Sequence, residues 1–399
     1  MSRWRFVFAS AVLALCVCLL AAARAERGWD ITEYCTVRVS GYANDKKNML
    51  DDRNMTMWRQ EERNAWIEVK TPDGIKAGGV YLRWGVQPVP LRIDVPDGES
   101  GEWQAVQQLP AGFYQQYIPF ETPLSHFRIR PQADQADFGL IRLQVLSPGD
   151  VPEDIHIWQP FEGKADLMVL VAHPDDELLY MGGVIPYYNT ERGMRVIVVY
   201  VARMNGFRLI EALDGLWRCG VRTYPELPGQ QFKDQYVSTL QKCLEIWQED
   251  RFKSYVTEMI RKYRPDVIVT HDVNGEYGHG AHRACCWAVQ QCVECAADSE
   301  KYPESAARFG PWQIKKAYLH LYRGNLGQID FDWRQPLSAF NGKTAFEIAD
   351  EAFHQHRSQA GSGRYQVEDY GRYDNSLFGL YFSAVDPDTG ANDFFEGLE

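Results

Sequence analysis

The stretch LMVLVAHPDDE (167–177) decides the fold of its region through the contrast between its two halves. Its first six residues, LMVLVA (167–172), carry no charge. A short apolar run that ends in a polar loop is typical of a strand buried on both faces, as in a parallel sheet. The loop that follows contains one imidazole and three carboxylates: His173, Asp175, Asp176 and Glu177. The sequence therefore predicts a buried strand whose carboxyl end presents a cluster of polar side chains.

The same rhythm recurs along residues 164–399. Further apolar runs are MRVIVVYVA (194–202), DVIVT (266–270) and KKAYLHLY (315–322). Helical stretches lie between them: one ending near Gly193, one around 209–217, a long one at 235–263 and a cysteine-rich one after 280. Buried strands that alternate with helices predict a parallel, doubly wound sheet.

A second polar segment, HDVNGEYGHGAH (271–282), follows the predicted strand at 266–270. In an open α/β sheet, ligands bind beyond the carboxyl ends of the strands, so we expect the two polar loops to lie together. His279 and His282 are three residues apart, which places them on neighbouring parts of one helix face if a helix begins there. Imidazoles combined with carboxylates suit Zn²⁺ or Fe²⁺.

The two loops together contain the parts of a hydrolytic metal site. Such a site needs three protein ligands and an open position for water, whose pKa the metal lowers. A nearby carboxylate can accept the proton of that water, and a histidine can support the oxyanion or protonate the leaving amine. Each loop alone has a simpler interpretation. Asp-Asp-Glu is also typical of a solvated turn or N-cap, and two histidines three residues apart also occur on the surface of a helix. Their conjunction at two strand ends favours the metal site.

These residues resemble the PIG-L/LmbE family of N-acetylglucosaminyl deacetylases. The resemblance spans roughly 166–395 and rests on AHPDDE (172–177), Gly182-Gly183, NGFRLIEAL (205–213), GEYGHGAH (275–282), HRSQ (356–359) and DFFE (393–396). It implies a Rossmann-like domain and hydrolysis of N-acetyl groups on sugars. It also implies three metal ligands, His173, Asp176 and His282, for Zn²⁺ or alternatively Fe²⁺. Asp175 would be the general base, and His279 the acid or oxyanion partner.

Two further positions bear on this resemblance. Arg208 corresponds to an arginine near the substrate pocket of the family, although a helix salt bridge to Glu211 is the alternative. Ala281 departs from the family, since many relatives have Asp between the paired histidines. An Asp there would orient a ligand imidazole, so its absence affects the tuning of the site rather than its ligands. His271 and His356 are interpreted as structural histidines.

Residues 26–150 have a different pattern. Short alternating segments punctuated by Gly, Pro and Asp predict an all-β sandwich, and 151–163 reads as a linker to the domain at 164–399. The half resembles a discoidin (F5/8 type C) or galactose-binding-like jelly roll. The resemblance is carried by Leu50-Asp51-Asp52, Thr56, Trp58, Trp84, Trp103 and HFRIRP (126–131). Such domains often bind glycans, but we interpret most of the aromatic residues as core.

The N-terminus predicts export. Two arginines precede an apolar run, and Ala23-Arg24-Ala25 has the form of a signal-peptidase site, so residues 1–25 are interpreted as a secretory leader. An uncleaved anchor is the alternative. Cleavage before Glu26 removes three arginines and no acid, which changes the net charge from −12 to −15. This acidity disfavours binding to nucleic acid or anionic membranes. Seven cysteines remain, so at least one has no partner within the chain.

The combined prediction is a secreted enzyme, of bacterial origin by its leader and resemblance, that removes acetyl groups from N-acetylated amino sugars with a bound metal. A carbohydrate or glycoconjugate is the expected substrate. One alternative keeps the metal site and changes the substrate to a non-sugar N-acyl amide. Another is a non-catalytic glycan-binding protein, against which Asp175 argues because a binding protein needs no base.

Overall fold

The computed structural model describes residues 27–61, 63–98, 100–134, 136–368 and 371–398. The chain divides into two compact units, Met1–Ile157 and Trp158–Glu399. The division falls within the segment predicted as a linker, 151–163. The predicted leader, residues 1–25, lies outside the described residues. Among the described residues, no helix is long and apolar enough to span a membrane.

The first unit is built from nine strands in the part of the chain that is described. They are β1 (Thr36–Val39), β2 (Trp58–Gln60), β3 (Ile67–Lys70), β4 (Ala77–Trp84), β5 (Leu91–Pro96), β6 (Trp103–Leu109), β7 (Gln115–Leu124), β8 (His126–Pro131) and β9 (Phe138–Leu146). Antiparallel pairing gives one sheet in the order β1-β3-β8-β5-β6 and another in the order β2-β9-β4-β7. The predicted all-β character of this half is confirmed.

Both sheets contribute alternate residues to one apolar core. Strand β8 shows this alternation, with Phe127 and Ile129 fully buried and the residues between them half-buried. Trp58 and Trp84 are fully buried and contact Phe138 edge-on or tilted. These tryptophans therefore belong to the core, as expected from the sequence.

The second unit contains a six-stranded sheet. Its strands are β10 (Leu167–Val171), β11 (Val196–Tyr200), β12 (Val267–Thr270), β13 (Lys316–His320), β14 (Gln328–Asp330) and β15 (Leu377–Ser383). The order is β11-β10-β12-β13-β15-β14. The first four strands are parallel and coincide with the four predicted apolar runs. Strand β15 pairs antiparallel with both β13 and β14, and neither β14 nor β15 was predicted. The three residues of β14 are too few for a pattern, whereas the apolar run LFGLYFS of β15 was overlooked.

Eight α-helices are present among the described residues. They are α1 (Asp176–Leu179), α2 (Gly206–Arg218), α3 (Leu240–Trp247), α4 (Glu249–Tyr263), α5 (Gly280–Cys295), α6 (Pro303–Phe309), α7 (Ala345–Phe353) and α8 (Arg357–Ala360). A π-helix over Pro186–Glu191 precedes Gly193. The single long helix predicted at 235–263 is wrong. The chain breaks into α3 and α4 at Gln248, whose positive φ of 63° is incompatible with a continuous helix.

Helix α5 carries the paired histidines and is fixed at both ends. At its N-terminus, His279 caps the helix by accepting a hydrogen bond from the Ala281 N–H at Nδ1. At its C-terminus, the fully buried Arg261 of α4 donates to the carbonyl oxygens of Cys295 and Ala296. A buried guanidinium is tolerated here because carbonyl oxygens satisfy its donors. Three cysteines of α5, Cys285, Cys286 and Cys292, are buried in the core beside it.

The register of the parallel strands positions the functional loops. Leu170 of β10 lies opposite Thr270 of β12, so both strands end at the same edge of the sheet. Strand β10 ends at Val171, two residues before His173, and β12 ends at Thr270, directly before His271. The two polar segments of the sequence are therefore neighbours in space.

Candidate metal and catalytic site

Three predicted metal ligands meet at this edge of the sheet. His173 Nδ1 lies 3.2 Å from His282 Nε2 and 3.1 Å from Asp176 Oδ2. His282 Nε2 lies 3.3 Å from Asp176 Oδ1. The loop is held in this shape by the His173 N–H, which donates to Asp176 Oδ2 at 2.7 Å. Two groups of ligand atoms that could hold an ion overlap here: His173, His279 and His282, and Asp176, His271 and His282.

Two outer carboxylates set the orientation of the ligand imidazoles. His173 Nε2 lies 3.2 Å from Asp234 Oδ1, and His282 Nδ1 lies 2.8 Å from Glu276 Oε2. Asp234 and Glu276 only accept hydrogen bonds when ionised, so they can hold the imidazole protons on His173 Nε2 and His282 Nδ1. The opposite nitrogens face each other and the Asp176 carboxylate, and they would offer their lone pairs to a bound metal ion. This donor set fits a divalent metal ion.

Glu276 is the centre of a larger buried network. Its carboxylate also accepts hydrogen bonds from His271 Nδ1 and His320 Nδ1, both at 2.7 Å. Burial by itself would raise the pKa of Glu276, but the surrounding imidazoles hold that pKa well below its usual value. The sequence prediction missed this residue, although it lies inside the segment 271–282 and six positions before His282. Its contact with His282 supplies the orienting carboxylate that Ala281 does not.

His271 is part of the cluster rather than a remote structural histidine. Its ring stacks on that of His282 with centroids 4.1 Å apart, and its Nε2 accepts a hydrogen bond from the Ala172 N–H. His356 lies behind the loop, with Nε2 3.9 Å from Glu177 Oε1 and its ring parallel to Phe353. It does not line the cavity above the ligands.

Asp175 stands at the rim of the cavity in a strained conformation. Its φ of 113° lies in the left-handed region, which costs a non-glycine residue about 1–3 kcal/mol. The Asp175 N–H donates to Glu177 Oε2 at 3.0 Å, which supports this conformation. The residue as a whole is 5% exposed, and burial raises the pKa of Asp175 to about 7 against the opposing effect of Arg208.

Arg208 contacts the predicted base directly. Its Nη2 lies 3.0 Å from Asp175 Oδ2 and donates to the Pro174 carbonyl oxygen. Glu211, the alternative partner from the sequence, accepts hydrogen bonds from the backbone and hydroxyl of Ser358 instead. Arg208 therefore lies at the cavity, paired with Asp175.

His279 faces the same cavity from the start of α5. Its ring centroid lies 4.8 Å from that of His173 and 4.9 Å from that of His282. Burial, followed by the nearby His173 and His282, lowers the pKa of His279 to about 3. Since Nδ1 accepts the Ala281 N–H, a neutral His279 carries its proton on Nε2.

A cavity of about 160 Å³ is lined by most of the predicted site residues. Its polar lining consists of His173, Asp175, Asp176, Arg208, Asp234, His279 and Gln359. His282 is fully buried beneath them. All six predicted site residues thus belong to one site. Asp234 had no sequence signal, because it comes from the irregular segment between α2 and α3.

Residues 168–293 match the family model described as "PIG-L: GlcNAc-PI de-N-acetylase". This segment is a PIG-L domain. Among curated relatives, the chain is 25% identical over 196 residues to 1D-myo-inositol 2-acetamido-2-deoxy-alpha-D-glucopyranoside deacetylase 1 of Frankia alni, covering 42% of this chain and 67% of that protein. It is 26% identical over 204 residues to the corresponding deacetylase of Rhodococcus jostii, and the match covers 43% of this chain and 68% of that protein.

Solved structures resemble both halves at low overall similarity. The N,N'-diacetylchitobiose deacetylase from Pyrococcus horikoshii is 19% identical with a TM-score of 0.37, covering 49% of this chain and 71% of that chain. For the N-terminal region, the neighbours include an F5/8 type C domain from Bacteroides fragilis, which is 17% identical with a TM-score of 0.25. The match covers 31% of this chain and 97% of that chain.

The PIG-L domain contains the whole ligand cluster and its outer carboxylates. Glu276 and Asp234 lie inside its bounds, as do the three predicted ligands. Two residues around the ligand cluster lie outside this domain. His320, which contacts Glu276, and Gln359, which lines the cavity, both follow residue 293. The site is therefore completed by the C-terminal part of the second unit.

Proposed function

We propose that this chain is a metal-dependent hydrolase that removes acetyl groups from N-acetylated amino sugars. The observation that carries the proposal is the convergence of His173 Nδ1, His282 Nε2 and the Asp176 carboxylate at 3.1–3.3 Å from one another. The PIG-L domain and the names of its curated relatives, which are deacetylases of an acetamido sugar, support the choice of reaction.

Zn²⁺ is the ion that best suits the donor set, with Fe²⁺ as the alternative. His173 and His282 would bind it through nitrogens whose ring partners are held by Asp234 and Glu276, and Asp176 would bind through its carboxylate. When bound, the ion would polarise the amide carbonyl and lower the pKa of a water molecule.

Asp175 is placed to act as general base. It lines the cavity beside Asp176, and its carboxylate contacts Arg208. A carboxylate whose pKa is raised towards neutrality is a suitable proton acceptor at pH 7.

His279 is better placed to donate a hydrogen bond to the oxyanion than to act as a general acid. Because its Nδ1 accepts the helix N–H, its Nε2–H is the donor that faces the cavity. A neutral imidazole with this tautomer can stabilise developing negative charge on the carbonyl oxygen. A protonated ring would break the capping hydrogen bond to Ala281.

The reaction then balances through Asp175 alone. The water oxygen forms a bond to the carbonyl carbon, and the water proton passes to the Asp175 carboxylate. The carbon–nitrogen bond breaks, and Asp175 returns the proton to the leaving nitrogen, which gives the free amine and acetic acid. The acid loses its own proton to the amine or to solvent and leaves as acetate.

The lining of the cavity favours a sugar over a non-sugar amide. Asp234, Arg208 and Gln359 place carboxylate, guanidinium and amide groups around the cavity. The side chain of Asp234 is 43% exposed, so its carboxylate can also accept a hydrogen bond from a ligand hydroxyl. Specific sites for polar ligands use a few placed groups of this kind.

Acetate release from a panel of N-acetylated saccharides tests the proposal. Wild type is compared with Asp175→Asn, each with chelator and with added Zn²⁺, and metal content is measured in both. We expect release that requires metal in the wild type and a 10²- to 10⁴-fold lower kcat in the variant, with metal still bound. Absence of release from every sugar by the metal-loaded wild type would contradict the proposal.

We also propose export of the chain through the leader at residues 1–25 and a glycan-binding role for the N-terminal unit. Mass spectrometry of the exported protein checks the first point, with an expected N-terminus at Glu26. An N-terminus at Met1 in a membrane fraction would favour the uncleaved anchor.

A further inference from the structure

A cavity of about 460 Å³ lies beyond the carboxyl end of β13 and shares no lining residue with the metal-site cavity. Strand β13 ends at His320, and the next three residues, 321–323, line this second cavity. The rest of its wall comes from β14, from the start of β15, and from Arg372 and Asn392. Its volume falls in the range of about 300–1,000 Å³ that small-ligand pockets have. Its place beyond a parallel strand is also where α/β sheets bind ligands.

Hydrogen bonds around Asp330 hold the wall in shape. The Asp330 N–H donates to Asn392 Oδ1 at 2.7 Å, and Asn392 Nδ2 donates to the Asp330 carbonyl oxygen. The Ser376 hydroxyl donates to Asp330 Oδ1 at 3.0 Å. These contacts fix β14 to the segment before β15 and to the C-terminal segment. The cavity is therefore preformed, as ligand pockets usually are.

The apolar part of the wall is packed and includes one strained residue. The Phe378 ring is 1% exposed, with its centroid 5.6 Å from that of His320 and 5.2 Å from that of Phe394. Leu321 has a φ of 54°, a left-handed conformation that a leucine rarely adopts. Its N–H donates to the Leu377 carbonyl oxygen at 2.9 Å, which supports this conformation. Strained residues of this kind concentrate at ligand sites.

Two exposed arginines, Arg323 and Arg372, line the cavity. Among the described residues, neither of them forms an ion pair with a carboxylate. Asp330, which also lines the cavity, accepts from Ser376 instead. The charged side chains of the wall therefore sum to +1, in a chain whose net charge is −12. A local positive charge of this kind favours an anionic ligand.

We propose that this cavity, which we call the arginine cavity, binds a small hydroxylated molecule with one carboxylate or phosphate group. The planar guanidinium groups of Arg323 and Arg372 present paired N–H donors that match the oxygens of either anion. The Asp330 carboxylate only accepts hydrogen bonds, so it suits a hydroxyl of the same ligand and disfavours a second anionic group. Gln328 supplies an amide at the same wall. This binding is separate from the proposed hydrolysis.

Calorimetric titration of the Zn²⁺-loaded full chain with glycerol 3-phosphate, glycerate and glycerol tests the proposal. The three probes share a hydroxylated three-carbon skeleton and differ in their anionic group. We expect wild type to bind at least one of the two anions with a Kd of about 1 mM or lower, and glycerol at least about tenfold more weakly. The anion that binds more tightly identifies the source as a phosphate ester or a carboxylic acid.

Arg323→Gln and Arg372→Gln should each weaken anion binding by at least about tenfold. Both arginines are exposed, so melting curves of the variants should match that of wild type. Arg308→Gln is the matched control, because the Arg308 side chain is 71% exposed and does not line the cavity. Its affinity for the anion should equal that of wild type. No binding of either anion, equally tight binding of glycerol, or affinities that neither cavity variant changes would overturn the proposal.

The same titration of chelator-treated protein separates the arginine cavity from the metal site. None of the predicted metal ligands lines this cavity, so binding that depends on the arginines should persist without Zn²⁺. Binding that disappears with the metal would place the anion at the metal site and overturn the proposal. Since the readout is binding rather than acetate release, the result holds whether or not the proposed function fails.

Discussion

Two buried glutamates in the segments that follow β10 and β12, Glu177 and Glu276, have the same side chain and opposite surroundings. Both are fully buried within a short distance of the ligand cluster. Glu276 accepts hydrogen bonds from the imidazoles of three histidines: His271, His282 and His320. Glu177 accepts one from the backbone N–H of Asp175.

The pKa values of the two carboxyls differ accordingly. Burial favours the neutral form of both, but the imidazoles hold the pKa of Glu276 well below its usual value. Burial raises the pKa of Glu177 to about 8, with Tyr200 opposing the shift. His356, close to Glu177, offers no positive charge because burial lowers its pKa to about 3.

The difference shows that the N–H donors around a buried carboxyl, rather than burial itself, decide its charge. In the loop at 271–282, Glu276 is a fixed negative charge that orients His282. In the loop at 173–177, Glu177 is a support for the strained backbone of Asp175. Three substitutions test this distinction.

Glu276→Gln should have the largest effect. The amide keeps one acceptor oxygen in place of two, so at least one of the three imidazole N–H groups loses its acceptor. We expect Zn²⁺ affinity to fall about 10- to 100-fold, measured by competition with a chromophoric chelator. A melting curve on the same sample shows that the variant is folded.

Asp272→Asn is the control for this variant. Asp272 lies in the same loop, but its side chain accepts from Asn274 rather than from a histidine. Its Zn²⁺ affinity should stay within about twofold of wild type. Equal affinities for folded Glu276→Gln and wild type would show that Glu276 does not orient the ligands.

Arg208→Gln should have an intermediate effect. The substitution leaves the buried Asp175 carboxylate without its charged partner. We therefore expect kcat/KM to decrease about tenfold. Zn²⁺ affinity should be unchanged, because Arg208 contacts the base and no ligand atom. Arg203→Gln, an exposed arginine of the same region, serves as control. A parallel loss of metal would assign Arg208 to the ligand cluster instead.

Glu177→Gln should have the smallest effect and is measured by denaturant unfolding of metal-free protein between pH 5 and 8. The folded pKa of Glu177, about 8, lies above its unfolded value of 4.5. In this window the folded state keeps a proton that the unfolded state releases, so wild-type stability falls as pH rises.

The variant has no titrating proton at this position, so its free energy of unfolding should fall less steeply with pH. The slopes of wild type and variant should differ by up to about 1.4 kcal/mol per pH unit. Glu153→Gln, at an exposed glutamate, should follow the wild-type slope. Identical slopes for Glu177→Gln and wild type would show that Glu177 is ionised when folded, as Glu276 is.

The sequence by itself determined the two fold classes and most of the site. Short alternating segments predict the β unit, and uncharged runs predict the four parallel strands. Because parallel strands end at one edge, the residues directly after β10 and β12 had to meet. This rule predicts that the loop of His173 and Asp176 meets the loop of His282, whereas the choice of these three as ligands follows from the resemblance to the PIG-L/LmbE family.

Tertiary structure alone decided the contacts that depend on irregular backbone. Gln248 divides a helix that periodicity predicts as continuous, and Asp175, at a positive φ, contacts Arg208. Asp234 reaches His173 from an irregular segment 61 residues away. Periodicity describes regular elements, whereas such contacts follow from loop conformations that long-range packing selects. The orientation of the ligands, and with it the proposed chemistry, therefore depends on the folded chain.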